Sequence, residues 1–180
     1  MSNEYLSFYR KLHPDAVEPA LGSEFAMGYD LACVAGLQGL PEDHKLRSLY
    51  GAAWVEMERT GEHWIRPNTT AAFRTGLAFI LQPEHGLLLW DRSSMGFTYE
   101  TTRFAGVIDP DYRGEVFVKL FNAGTEPVRI VPGQRIVQAI VTPRYKTIWW
   151  PADEPLVDAA SIRQKSKSVI SVARNENGFG

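Results

Sequence analysis

Cysteine is nearly absent. The 180 residues contain one, Cys33, so no internal disulfide can staple the fold. That usage fits a reducing compartment, and a cytoplasmic protein is the expectation. The four histidines, His13, His44, His63 and His85, stand at no paired spacing, which argues against a zinc site. No apolar run reaches the length of a membrane span, and the first residues lack the apolar core of a signal peptide. Net charge is also scarce, with 19 Lys and Arg against 21 Asp and Glu giving −2. Such a chain has no general attraction for nucleic acid or for a membrane surface, so a polyanionic ligand must be met by a local cluster of Arg and Lys. There is no glycine-rich phosphate loop, no dinucleotide-binding fingerprint and no internal repeat.

What is present suits a single domain with a real core, at 44% hydrophobic and 22% charged residues. From Trp64 onward the pattern is β. Phe73 to Leu81, Gly86 to Trp90, Val116 to Phe121, Val128 to Ile130 and Ile136 to Val141 are short apolar or alternating runs. Gly, Pro and Asn punctuate them at intervals of about ten residues. This predicts an all-β sandwich or barrel rather than a parallel α/β sheet.

One helix interrupts that pattern. Pro41-Glu42-Asp43 reads as its start, with acidic residues in the first turn. Leu46, Leu49, Tyr50, Ala53, Trp54 and Met57 follow amphipathic spacing, and Gly61 supplies a stop. The spacing predicts an inserted helix over about 42–60, packed on the β domain, within an insertion spanning about 37–63. A lid or a surface for a protein partner is the functional alternative to simple packing. The polar stretch 166–180 is expected to be a flexible C-terminal arm on a single domain of 1–165.

The centre of the chain is Gly106-Val107-Ile108-Asp109-Pro110-Asp111-Tyr112-Arg113-Gly114-Glu115. Apolar residues on either side of Pro110 and Gly114 read as a β-hairpin or bulged strand pair, with Asp109 held where a strand ends. As a turn alone, Asp-Pro-Asp-Tyr-Arg-Gly has ordinary turn chemistry. The stretch also resembles the third signature motif of the trimeric dUTP diphosphatases (dUTPases), Gly-Val-Ile-Asp-x-Asp-Tyr-x-Gly. Four further segments can be set beside that family's motifs in order. Ala26-Met27-Gly28-Tyr29-Asp30-Leu31 resembles the first, and Asp91-Arg92-Ser93-Ser94-Met95-Gly96 the second. Gly133-Gln134-Arg135-Ile136-Val137-Gln138 resembles the fourth, and Arg174-Asn175-Glu176-Asn177-Gly178-Phe179-Gly180 a shortened fifth without its Ser-Thr-Gly end. Asp91 departs from the usual Gly or Pro, and a carboxylate beside a phosphate site is unfavourable unless it points away or pairs with Arg92.

The resemblance implies a jelly-roll-like β fold, a homotrimer with shared sites, and Mg²⁺-dependent hydrolysis of dUTP to dUMP and diphosphate. Within it, Asp109 would orient and partly deprotonate the water that attacks the α-phosphorus. A carboxylate is a weak base at neutral pH, so positioning and charge stabilisation must supply most of the acceleration. Asp30 would hold the water shell of Mg²⁺. Arg92, Ser93, Ser94, Gln138 and Arg174 would meet the phosphates, Gly106 and Ile108 would read uracil, Tyr112 would lie against the deoxyribose, and Phe179 would stack on the base. dCTP deaminases share the fold, but aligned on Gly114 and Asn122 their catalytic Glu falls on Lys119, which cannot return that proton. Two further readings fit the same fold: a related deoxynucleotide triphosphate hydrolase, and a binding or regulatory module without catalysis.

Overall fold

The computed structural model describes residues 7–145. In chain order the strands are β1 (Phe8–Lys11), β2 (Ala20–Leu21), β3 (Tyr29–Ala32), β4 (His63–Ile65), β5 (Thr70–Arg74), β6 (Leu77–Ile80), β7 (His85–Asp91), β8 (Thr101–Phe104), β9 (Val107–Ile108), β10 (Phe117–Asn122), β11 (Val128–Ile130) and β12 (Arg135–Pro143). Helix α1 (Lys45–Thr60) lies between β3 and β4, and one wide helical turn, Ser94–Thr98, follows β7. The strand-rich architecture expected from the sequence is present, with the inserted helix.

The ladders among these strands are antiparallel. A five-stranded sheet in the order β2-β3-β12-β7-β9 faces a three-stranded sheet β5-β10-β8, with the pairs β1-β6 and β11-β4 beside them. Alternation along β7, from Leu87 and Leu89 inward to Trp90 outward, is the signature of a sheet with one covered face. Leu31, Phe73, Leu77, Leu87, Leu89, Val118, Leu120, Ile130, Ile136 and Val137 form the main core between the sheets.

Helix α1 covers a second, smaller core. Trp54 is 1% exposed, stacks on Phe117 at a centroid distance of 5.7 Å, and donates its indole N–H to the Ala72 carbonyl at 2.7 Å. Gly61, at φ 75°, ends the helix in the left-handed conformation that glycine adopts without penalty. The start differs from the sequence expectation. Pro41 to His44 closes a turn, with the His44 amide donating to Pro41 at 3.2 Å, and His44 caps the helix by accepting from the Leu46 amide. The cap is an imidazole nitrogen rather than an acidic first turn. Leu49, expected on the packed face, is 60% exposed, because Gly51 rather than Leu49 lies on the closest-packed face.

The central stretch also departs from the expected hairpin. Val107 and Ile108 do not pair with β10. They pair with Leu88 and Leu87 of β7, while β10 pairs with β5 and β8. Residues 109–116 therefore cross from one sheet to the other. Pro110 has no N–H to give a ladder, and the Tyr112 amide closes a turn onto the Asp109 carbonyl at 3.1 Å. Period-two patterning locates strands but does not name their partners.

Candidate functional site

Three neighbouring strands of the large sheet bring together the residues that resembled the first, second and fourth motifs. Gln138 of β12 stands opposite Asp30 of β3 on one side and Trp90 of β7 on the other. Directly opposed residues share a face, so Asp30 and Gln138 project together beside the start of the Arg92 loop. Gln138 donates to the Asp91 carbonyl at 3.0 Å and holds the backbone from which Arg92 departs.

Asp30 is 8% exposed and carries two guanidiniums. Arg92 Nε lies 2.8 Å from Oδ1, and an Arg135 terminal nitrogen lies 3.5 Å from Oδ2. Arg92 also donates to the Arg135 carbonyl at 2.9 Å and reaches Ser94 Oγ at 3.5 Å. Ser93 and Ser94 are exposed at the head of the wide turn. This cluster borders a cleft of about 910 Å³ lined in part by Arg92, Ser94, Arg129, Gln134 and Arg135. Arg129 is paired with Glu62, whereas Arg92 reaches Ser94 directly. Forked donors beside exposed hydroxyls can bind phosphate oxygens.

Asp91 points away from this cleft. Its two oxygens accept from Thr102 Oγ1 and from the Arg103 amide of β8, each at 2.9 Å, and so tie the two sheets together. Arg103 in turn bonds the Leu89 carbonyl and lies over the Trp90 ring at 5.0 Å. The sequence flagged Asp91 as anomalous but carried no signal that Thr102 and Arg103 would satisfy it.

The residues that resembled the third motif lie elsewhere. Gly106 accepts the Leu89 amide at 2.7 Å, and a Cβ on it would sit 2.7 Å from the Leu89 carbonyl oxygen, so only glycine allows this approach. Ile108 is half-buried and Asp109 is exposed. Tyr112, 41% exposed, donates its hydroxyl to the Glu115 carbonyl at 2.8 Å. Burial, and then the Glu115 carboxylate, push its phenol above the ordinary range and keep it protonated. A Cβ on Gly114 would meet that hydroxyl at 2.6 Å.

The two groups sit at opposite ends of β7. Asp109 follows the partner of Leu87, whereas Arg92 follows Asp91. Four strand positions separate Leu87 from Asp91, roughly 13 Å at 3.3 Å per residue. Within one chain, Asp30, Arg92, Ser94 and Gln138 are assembled, and Asp109 and Tyr112 are not brought to them. Arg174 and Phe179 lie outside the described residues.

The family model for dUTPase matches residues 47–171. The chain belongs to the dUTPase family. A Deoxyuridine 5'-triphosphate nucleotidohydrolase from Wolinella succinogenes is 34% identical over 134 residues, covering 73% of this chain and 72% of that protein. One of the same description from Neisseria meningitidis is 31% identical over 119 residues, covering 64% and 70%. Among solved structures, the native EIAV dUTPase aligns with a TM-score of 0.60 at 19% identity, covering 84% of this chain and all of that one. A Staphylococcus bacteriophage 80alpha dUTPase variant aligns at 0.64 and 16% identity, covering 98% of each. These likenesses extend the dUTPase fold to this chain. The Lys119 ammonium lies 5.9 Å from the Tyr50 ring centroid of α1.

Among the described residues no group of three or more His, Cys, Asp or Glu could enclose a metal ion. A lone carboxylate already facing two guanidiniums suits Mg²⁺ only through water, with phosphates supplying the direct oxygens. In those terms Asp30 fits. No helix among these residues is long and apolar enough to cross a membrane.

Proposed function

We propose that this dUTPase-family protein is a dUTP diphosphatase that hydrolyses dUTP to dUMP and diphosphate, as a homotrimer with active sites shared between copies. The observation that carries the reading is the interlocked Asp30–Arg92–Gln138 cluster at the mouth of an Arg- and Ser-lined cleft, in a chain of this family. The separation of that cluster from Asp109 supports the sharing. With Arg92 and Asp109 of one chain about 13 Å apart along β7, the reading assigns the Asp109 segment of each site to a second copy.

In the assembled site Asp109 orients the attacking water and takes up its proton as the water adds to the α-phosphorus and the diphosphate leaves. Arg92, Ser93, Ser94 and Gln138 hold the phosphates in line, with Arg174 on the terminal one. Asp30 would hold the water shell of a Mg²⁺ ion, which when bound would neutralise triphosphate charge. Gly106 and Ile108 offer backbone groups to the uracil edge, while Tyr112, fixed by its bond to Glu115, closes the space a 2'-hydroxyl would need. Phe179 covers the base. The lone, buried Cys33 agrees with a cytoplasmic setting.

The test is diphosphate release with Mg²⁺ from dUTP, dCTP, dTTP and UTP, beside Asp109→Asn. Release from dUTP alone, reduced by about 10²-fold or more in the variant, is expected. Ammonia release from dCTP would move the protein to the deaminase branch. No turnover at all would leave a binding module.

A further inference from the structure

The least accessible ion pair among the described residues lies outside the cleft. Arg74, at the end of β5, and Glu115, just past the Asp109–Gly114 turn, have side chains 0% and 2% exposed. Arg74 donates to both Glu115 oxygens, at 2.8 Å from Nη2 and 3.1 Å from Nε. Its remaining donors reach back to the segment leading into α1, Nη1 to the Gly36 carbonyl at 2.9 Å and Nη2 to the Gln38 carbonyl at 3.1 Å. Its guanidinium faces the Trp54 ring of α1 at 5.9 Å. Glu115 also accepts the Gly76 amide at 2.8 Å. A pair this buried brings little net stability over an apolar filling, yet its hydrogen bonds beyond the fork itself all hold backbone.

We propose that Arg74 and Glu115 are positioning residues that fix the Asp109–Gly114 turn against the segment leading into α1. The connection is short. Glu115 is anchored on its side chain by Arg74 and Gly76, and its carbonyl receives the Tyr112 hydroxyl. The Tyr112 amide then closes onto Asp109. The two residues given the sugar and the attacking water in the proposed reaction therefore inherit their place from a carboxylate that touches neither. The segment leading into α1 is a structural buttress for the turn, because Gly36, just before the insertion, and Gln38, within it, supply the carbonyls that orient Arg74. The catalytic consequence rests on the proposed dUTP hydrolysis, whereas the mechanical one does not.

Residue-resolved hydrogen exchange on the full protein separates the two, using Glu115→Gln and Arg74→Lys. Each keeps some hydrogen bonding but loses the two-oxygen fork. The Tyr112 amide is expected to exchange about tenfold faster or more, while Val118 and Leu120 in β10 stay within about twofold. Arg74→Lys should loosen the Gly36 and Leu40 amides together with Tyr112. In turnover, the preference for dUTP over UTP should fall by about tenfold as Tyr112 loosens. Unchanged exchange at 109–114, or one uniform factor across all core amides, overturns the proposal, since the second would be a loss of global stability only. Should the buried variants not fold, Tyr112→Phe removes only the link to the Glu115 carbonyl, and unchanged exchange at 109–114 in that variant overturns it too. Failure of the parent protein to hydrolyse dUTP would defeat the functional reading while the exchange result still decides this one.

Discussion

Asp91→Gly replaces the most anomalous residue of the phosphate loop with one the family commonly carries. If the carboxylate faced the cleft, the change would relieve repulsion and tighten phosphate binding. The structure predicts the reverse. Oδ1 and Oδ2 accept from the Arg103 amide and Thr102 Oγ1, both at 2.9 Å. Hydrogen bonds to a charged acceptor are worth about 1.5–3 kcal/mol each when buried. Thr102 and Arg103 are only partly buried, and the threonine hydroxyl can turn to water, so the lower end applies. Glycine in a strand adds roughly 0.5–1 kcal/mol. The sum is about 3.5–4 kcal/mol of lost stability, read as a shift in urea midpoint at fixed protein concentration. KM for dUTP should not fall, because no charge is removed from the cleft. A variant within about 0.5 kcal/mol of the parent, with a lower KM, would refute the reasoning.

Trp54→Phe keeps the stack on Phe117 but strands the Ala72 carbonyl, and should cost about 1–3 kcal/mol in the same denaturation assay; an unchanged midpoint would mean the helix is not integral to the domain. Burial pushes the Cys33 thiol up to about 12, so a thiol reagent at pH 8 should label it only as the protein unfolds, and rapid labelling of the native protein would contradict that. Burial lowers the pKa of His13, with help from Arg74, and of His63, below the ordinary 6.5. Both contribute stability that is complete above pH 6.5 and is lost as pH falls through their depressed values, so the urea midpoint should drop between pH 7 and pH 5. A midpoint that holds or rises there would exclude the effect.

Much of this was legible in the sequence because it is local. Gly61 stopped the helix where expected, and the strands around Val128 and Ile136 lie where their alternation placed them. Asp30, Arg92 and Gln138 were named from short motifs, and the sheet then set them side by side. What escaped depends on partners far along the chain. Nothing near Val107 says that it pairs with Leu88 rather than with β10. Nothing near Glu115 announces Arg74, 41 residues away, since a charged residue in a strand reads as a solvated face until burial is known. Leu49 fitted the amphipathic spacing and is nevertheless exposed, because a helix stripe narrower than its pattern leaves its edge in water.

The claim that most needs testing is that one site draws on two copies. Asp109→Asn and Arg92→Ala, each inactive alone, would be unfolded together and refolded as mixed trimers, verified by native mass spectrometry. If Asp109 and Arg92 act from different chains, about a quarter of the sites in a random equal mixture contain both intact residues, and dUTP hydrolysis returns to about that level. Mixed trimers that stay inactive would mean that both residues serve the same chain's site, contrary to the separation along β7.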